Sequence, residues 1–173
     1  VYDPASFNDR LLLGLKGAMS EAELHVLKAR LRGGILNKVR RGEYRCALPT
    51  GLVYDASADV VLDPDSQIRE TIAHFFETFS RVGSACQVVK VFRDEGLHFP
   101  SRLRNQVGVV FRPLNASTAI RTLHNPRYAG AYVYGRRRYR RSANGTKVHQ
   151  ARSRSEWLAC IPNAHPGYIS WDR

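Results

Sequence analysis

Residues 63–83, DPDSQIRETIAHFFETFSRVG, decide how this chain folds. Ile68, Ile72, Phe75, Phe76 and Phe79 recur at the α-helical period, so one face of a helix is apolar and faces a core. Asp63 as N-cap with Pro64 at the first helical position is the expected start. Gly83 is the expected stop. Ser84 then caps a short second helix through Ala85, Val88, Val89 and Phe92, closed by Gly96. Two short helices joined by a glycine turn are thus the centre from which the rest is read.

On the N-terminal side, Leu52–Tyr54 and Val60–Leu62 bracket a polar turn, Asp55–Asp59, and read as a hairpin. On the C-terminal side, Leu97–Phe99 runs extended into Pro100, and Gln106–Phe111 reads as a strand. Asn115 caps a third short helix, Ala116–His124, with Ala119, Ile120 and Leu123 as its apolar stripe and Arg121 pointing away; Asn125-Pro126 ends it. Ala131–Tyr134 is a strand, Glu156–Ile161 its candidate return, and Ser170 a helix start. Between those strands, Gly135–Ser155 holds eight Lys or Arg and no acid, with an Asn144-Gly145 turn. Its densest part, Arg136–Arg141, puts five cations and one tyrosine in six residues. They repel one another in water, so the run is expected to be mobile until it meets a polyanion.

Upstream, Ser20–Arg41 reads as one long helix, with a Ser20–Glu23 capping box and Gly42 after its end. Leu24, Leu27, Leu31 and Ile35 share a face; Lys28, Arg30, Arg32 and Lys38 mark much of the rest, with Arg40 and Arg41 in the last turn. Gly33 and Gly34 sit inside it, at a cost of about 0.8–1 kcal/mol each relative to alanine. Either this is a solvated surface helix kinked at the glycines, or the glycines let it lie close to a phosphate backbone. Phe7–Lys16 reads as the tail of a separate helix.

The fold class expected is therefore α+β: a long N-terminal helix leading into a small mixed α/β, winged-helix-like DNA-binding domain. The expected boundaries are 1–42 for the leading helical part, 43–50 for a linker containing Pro49, 51–160 for the DNA-binding domain, and 161–173 for the start of a further connection. The chain opens on Val1 and reads as a piece of a longer protein.

A net charge of +12 and a pI near 10.2 favour a polyanionic partner. Arg outnumbers Lys 22 to 5, which suits forked contacts to phosphate and guanine better than lipid. No run of about 18 apolar residues offers a membrane span, and no signal layout implies export, so a cytoplasmic setting is expected. Cys46, Cys86 and Cys160 are far apart and form no CxxC; Cys160 and His165 are close, but two ligands do not close a zinc site. No metalloprotease, hydrolase or phosphate-loop motif is present, and Asp63, Asp65, Asp94 and Glu95 are explained by helix ends. His74 reads as a neighbour of the core.

Several motifs bear a resemblance. Phe7–Glu23 followed by Leu24–Gly42, with Arg30, Gly34 and Gly42, resembles the end of a serine recombinase catalytic domain and its long helix. Leu48–Tyr54, Phe75–Gly83, Phe92–Leu97 and above all Leu123-His-Asn-Pro-Arg-Tyr-Ala-Gly130 are similar to the DNA-binding "recombinase" domain of large serine recombinases; Glu156-Trp157 and His165–Ser170 resemble the stretch leading to that family's zinc ribbon. Small members carry Arg after the position of Glu23, where Leu24 stands here, so catalytic support by this helix does not follow. The resemblance implies a site-specific recombinase that integrates, excises or inverts DNA. Its nucleophilic serine would lie in a domain outside this sequence, and its zinc in a C-terminal domain also outside it, leaving this fragment without a cofactor and inactive alone. It implies a double-stranded attachment site as partner, and a homodimer or tetramer of the whole protein. The candidate DNA contacts are Arg30, Arg32, Lys38, Arg40 and Arg41 on the long helix, Arg121 on the short third helix, Arg127 and Tyr128 after it, and Arg136, Arg137, Arg138, Arg140 and Arg141 on the basic run. A winged-helix transcription regulator is the alternative, disfavoured by the long basic helix that precedes the domain. A basic RNA-binding protein is a third, disfavoured because Tyr139 is the main aromatic beside the cations.

Overall fold

The computed structural model describes residues 3, 6–103, 108–142 and 144–172. The chain divides into two compact units, residues 1–44 and 45–173. The first is one continuous helix, α1 (Phe7–Arg40). The expected break at Ser20 is absent: residues upstream are already helical, so carbonyls of the preceding turn meet the amides that a capping serine would have served. Ser6 stands at the N-cap instead, and Gly42 adopts a left-handed conformation just past the end, donating its N–H to the Val39 carbonyl.

In the second unit, β1 (Leu52–Tyr54) and β2 (Val60–Leu62) form the expected hairpin, its turn closed by the Asp55 carboxylate accepting from the Asp59 N–H. Helix α2 (Ser66–Val82) begins two residues later than expected, with Asp65 as cap; its side chain accepts from the Gln67 N–H at 2.9 Å. Asp63 is held elsewhere: its N–H donates to the Gly51 carbonyl, and the Arg69 guanidinium takes the carbonyls of Asp63 and Pro64, which keeps the chain extended up to Asp65. Gly83 terminates α2 in the left-handed region, and α3 (Ala85–Asp94) follows. Ser84 occupies its N-cap position without a side-chain hydrogen bond, and Gly96, left-handed just past the C-cap Glu95, closes it by donating its N–H to the Arg93 carbonyl.

Strands β3 (His98–Arg102) and β4 (Val109–Pro113) pair antiparallel; residues 106 and 107 of the expected strand lie outside those described. Helix α4 (Ala116–Leu123) is capped by Asn115, whose side chain accepts from the Thr118 N–H. A 3-10 turn, Pro126–Ala129, leads into β5 (Tyr132–Tyr134). The basic run forms an antiparallel hairpin, β6 (Arg137–Arg141) with β7 (Lys147–Ala151), and β8 (Ala159–Ile161) returns to pair with β5. The return strand is shorter than expected because Arg154–Glu156 forms a 3-10 turn, closed by the Glu156 carboxylate accepting from the Ser153 N–H and hydroxyl. Residues 171 and 172 form a turn rather than the helix expected from Ser170.

The core is aromatic. Phe75, Phe92 and Phe99 meet edge-on or tilted with centroids 5.3–6.3 Å apart, and Ile68, Ile72, Val88, Leu114 and Ala119 fill around them. In α4 the buried residues are Ala119 and Thr122; Ile120, expected in the stripe, faces solvent.

Candidate nucleic-acid interface

The motif at 125–130 explains how α4 is held. The Asn125 side chain accepts from the Arg127 N–H and starts the 3-10 turn that ends at Gly130. Tyr128 turns inward: it is 3% exposed, packs on Phe76 and Tyr168, and its hydroxyl donates to the Thr50 carbonyl at 2.9 Å. The Tyr128 backbone carbonyl accepts from the N–H groups of Tyr168 and Ile169, and the Tyr168 hydroxyl donates to the Gly51 carbonyl. The two tyrosines thus clamp residues 50–51 onto the domain. Burial raises the Tyr128 phenol well above its ordinary value and pushes Tyr168 up to about 12. Tyr128, expected among the DNA contacts, is thus placed with its side chain packed inside the domain.

The arginines sort into braces and exposed cations. Arg127 donates to the carbonyls of Ala47 and Val133 and so ties the segment at residue 47 to β5. Arg136 donates to the His124 carbonyl at 2.8 Å and the Asn125 side chain, and its guanidinium lies 5.5 Å from the Trp157 ring centroid. Burial first, then Arg137 and Arg127, lower its pKa. Both residues are spent on the protein's own carbonyls, and neither presents its full fork outward. Sequence spacing could not distinguish them from their neighbours, because the carbonyls they satisfy belong to distant loops.

Arg136 also fixes the hairpin. The base of the excursion is closed by Arg152 N–H to the Arg136 carbonyl and by the Trp157 indole N–H to the Arg152 carbonyl. It therefore springs from the C-terminal end of α4. Along the hairpin the register sets Arg137 opposite Ala151, Arg138 opposite Gln150, Tyr139 opposite His149 and Arg140 opposite Val148; only Arg141 meets another basic residue, Lys147. That spacing lets a run of like charges pair as a ribbon with little direct opposition. Alternation puts Arg137, Tyr139 and Arg141 on one face, with the Tyr139 and His149 rings 4.4 Å apart between the two arginines. Arg138 and Arg140 take the other face, where Arg138 donates to Gln150 at 2.9 Å.

Helix α4 shows solvent a stripe of Ser117, Ile120, Arg121 and His124. Arg121 is exposed and reaches back to the Thr118 hydroxyl at 3.4 Å. Beside it, Thr118, Arg121, Thr122 and Asn125 face Ser101 and Arg102 across a cleft of about 330 Å³, among whose lining residues there is no carboxylate. On α1, Arg30, Arg32, Lys38 and Arg40 are exposed, as is the C-cap residue Arg41, which pairs with Glu43 at 2.8 Å. Among the described residues, no three of His, Cys, Asp and Glu come together as a ligand set. No described helix is long and apolar enough to cross a membrane.

The Recombinase family profile matches residues 67–173, from the start of α2 to the end of the sequence. This chain belongs to the Recombinase family. The matched part of this Recombinase chain contains the aromatic core, α4, the tyrosine clamp and the cationic hairpin. The chain as a whole is 56% identical over 174 residues to the protein named "Uncharacterized protein y4bA/y4pH" of Sinorhizobium fredii (strain NBRC 101917 / NGR234), covering 99% of this chain and 25% of that protein. The Recombinase chain thus spans about a quarter of that relative's length. No solved structure matches it.

Proposed function

We propose that this chain is the segment of a site-specific serine recombinase that grips and reads duplex DNA at the recombination site. The observation that carries the reading is the Arg136 bracket: it ties a ribbon of exposed arginines to the end of a short helix whose outer face carries Arg121. A helix of that kind fits the major groove, and the ribbon serves as a wing or strap along the phosphates. Arg30, Arg32, Lys38 and Arg40 of α1 and the C-cap Arg41 supply further phosphate contacts in the minor groove. The catalytic serine, a zinc-bearing domain and assembly as a dimer or tetramer belong to the longer protein in this reading. That protein would cut, exchange and rejoin strands through phosphoserine links.

Two variants test it on the 173-residue chain. Arg137→Ala with Arg138→Ala removes two phosphate cations, so affinity should fall about equally for all duplexes and the salt slope should flatten by roughly two units. Arg121→Ala should instead shrink the difference between the preferred duplex and a scrambled one. If Arg121→Ala leaves sequence preference intact, α4 is not the reading helix.

A further inference from the structure

We infer that Ile120 is a specificity-determining residue that contacts the C5-methyl group of a thymine. The inference rests on the DNA-binding reading above and adds to it a residue and a base.

Helix α4 has few residues, and its inner face is settled: Ala119 and Thr122 are buried in the core. Ile120 is 44% exposed, in the middle of the outer stripe, between Ser117 and His124 and next to Arg121. Isolated apolar residues on a surface usually mean nothing. This one stands out by its company. Its side chain lies on the exposed face of α4, with the exposed Arg121 next to it in sequence, and the arginine ribbon is braced to the C-terminal end of the same helix by Arg136. Charge complementarity therefore names the occupant as a nucleic-acid duplex. Within the major groove, the donors and acceptors of the base edges leave one apolar handle, the thymine methyl. A β-branched side chain with a stiff χ1 meets that methyl with little loss of freedom, while the exposed Arg121 takes a neighbouring acceptor.

The test uses the 173-residue chain and a duplex selected from a randomised pool for tight binding. Each thymine is replaced in turn by deoxyuridine, which removes only the methyl. The wild-type chain should lose about fourfold in affinity at one or two positions, the equivalent of unburying one methyl group. Ile120→Ala should bind the thymine and deoxyuridine duplexes equally at those positions, with circular dichroism unchanged, and Ile120→Leu should keep part of the preference. If wild type binds the duplex and no thymine methyl matters, or if Ile120→Ala keeps the full methyl penalty, the Ile120 assignment is overturned while the DNA reading stands. If the wild-type chain binds no duplex, the DNA reading fails, and this inference with it.

Discussion

Arg136 shows what a single guanidinium does here. Its two hydrogen-bond acceptors, the His124 carbonyl at the end of α4 and the Asn125 side chain, would be left to water or to nothing without it. Arg136→Ala should therefore cost about 1–3 kcal/mol of stability, read from the denaturation midpoint. Arg137→Ala, on the exposed neighbour, should cost well under 1 kcal/mol. Equal effects of the two substitutions would contradict the brace. The phenols give a second prediction at this scale. Burial raises the pKa of Tyr128, Tyr132 and Tyr168, the last to about 12. Because the folded values lie above the unfolded one, their contribution to stability is complete below pH about 10 and is lost as pH rises towards 12. Absorbance at the phenolate band should thus show a late fraction of the eight tyrosines ionising together with a loss of helix. Complete ionisation of all eight below pH about 11 with the helix signal intact would contradict it. Residue roles were the least legible part of the sequence. Arg127, Arg136 and Tyr128 sit among cations and aromatics indistinguishable by type, and only tertiary packing shows which of them face inward.

Elements were far more legible, wherever a local physical rule decides. The 3.6-residue recurrence of Ile68–Phe79, the Asn115 cap and the polar turn at 55–59 each specify structure within a few residues, and each is found. Local rules misled where a distant partner intervened: Arg69 and the Gly51 carbonyl hold Asp63–Pro64 away from α2, and an upstream helical turn makes the Ser20 cap redundant. The approach of residues 128–130 to 164–169 was not legible at all. Gly130 has φ +70°, and a β-carbon there would lie 2.5 Å from the His165 carbonyl oxygen. The Gly130 carbonyl in turn accepts from the N–H groups of Ala164 and His165. Gly130→Ala should destabilise the domain by about 1–3 kcal/mol through strain and displaced hydrogen bonds. An unchanged midpoint in thermal denaturation would show that the two segments can separate at no cost.

At the scale of the whole molecule, the two units differ in kind. Residues 45–173 enclose their own aromatic core. Helix α1 has apolar residues on every side, and Phe7, Leu11, Leu12, Leu13, Leu15, Met19, Leu24, Val26, Leu27, Leu31 and Ile35 are all exposed. The shared face read from Leu24, Leu27, Leu31 and Ile35 is real in spacing, and all four side chains are exposed. The charge distribution tells the complementary part: the run 135–155 is free of acids, and the chain as a whole carries +12. The measurement that bears most directly on this is the affinity of the 173-residue chain for a labelled duplex as a function of salt. Neutralisation of several phosphates predicts that log affinity falls linearly with log salt at a slope of about −5 or steeper. A slope near zero, or no binding in dilute buffer, would contradict it.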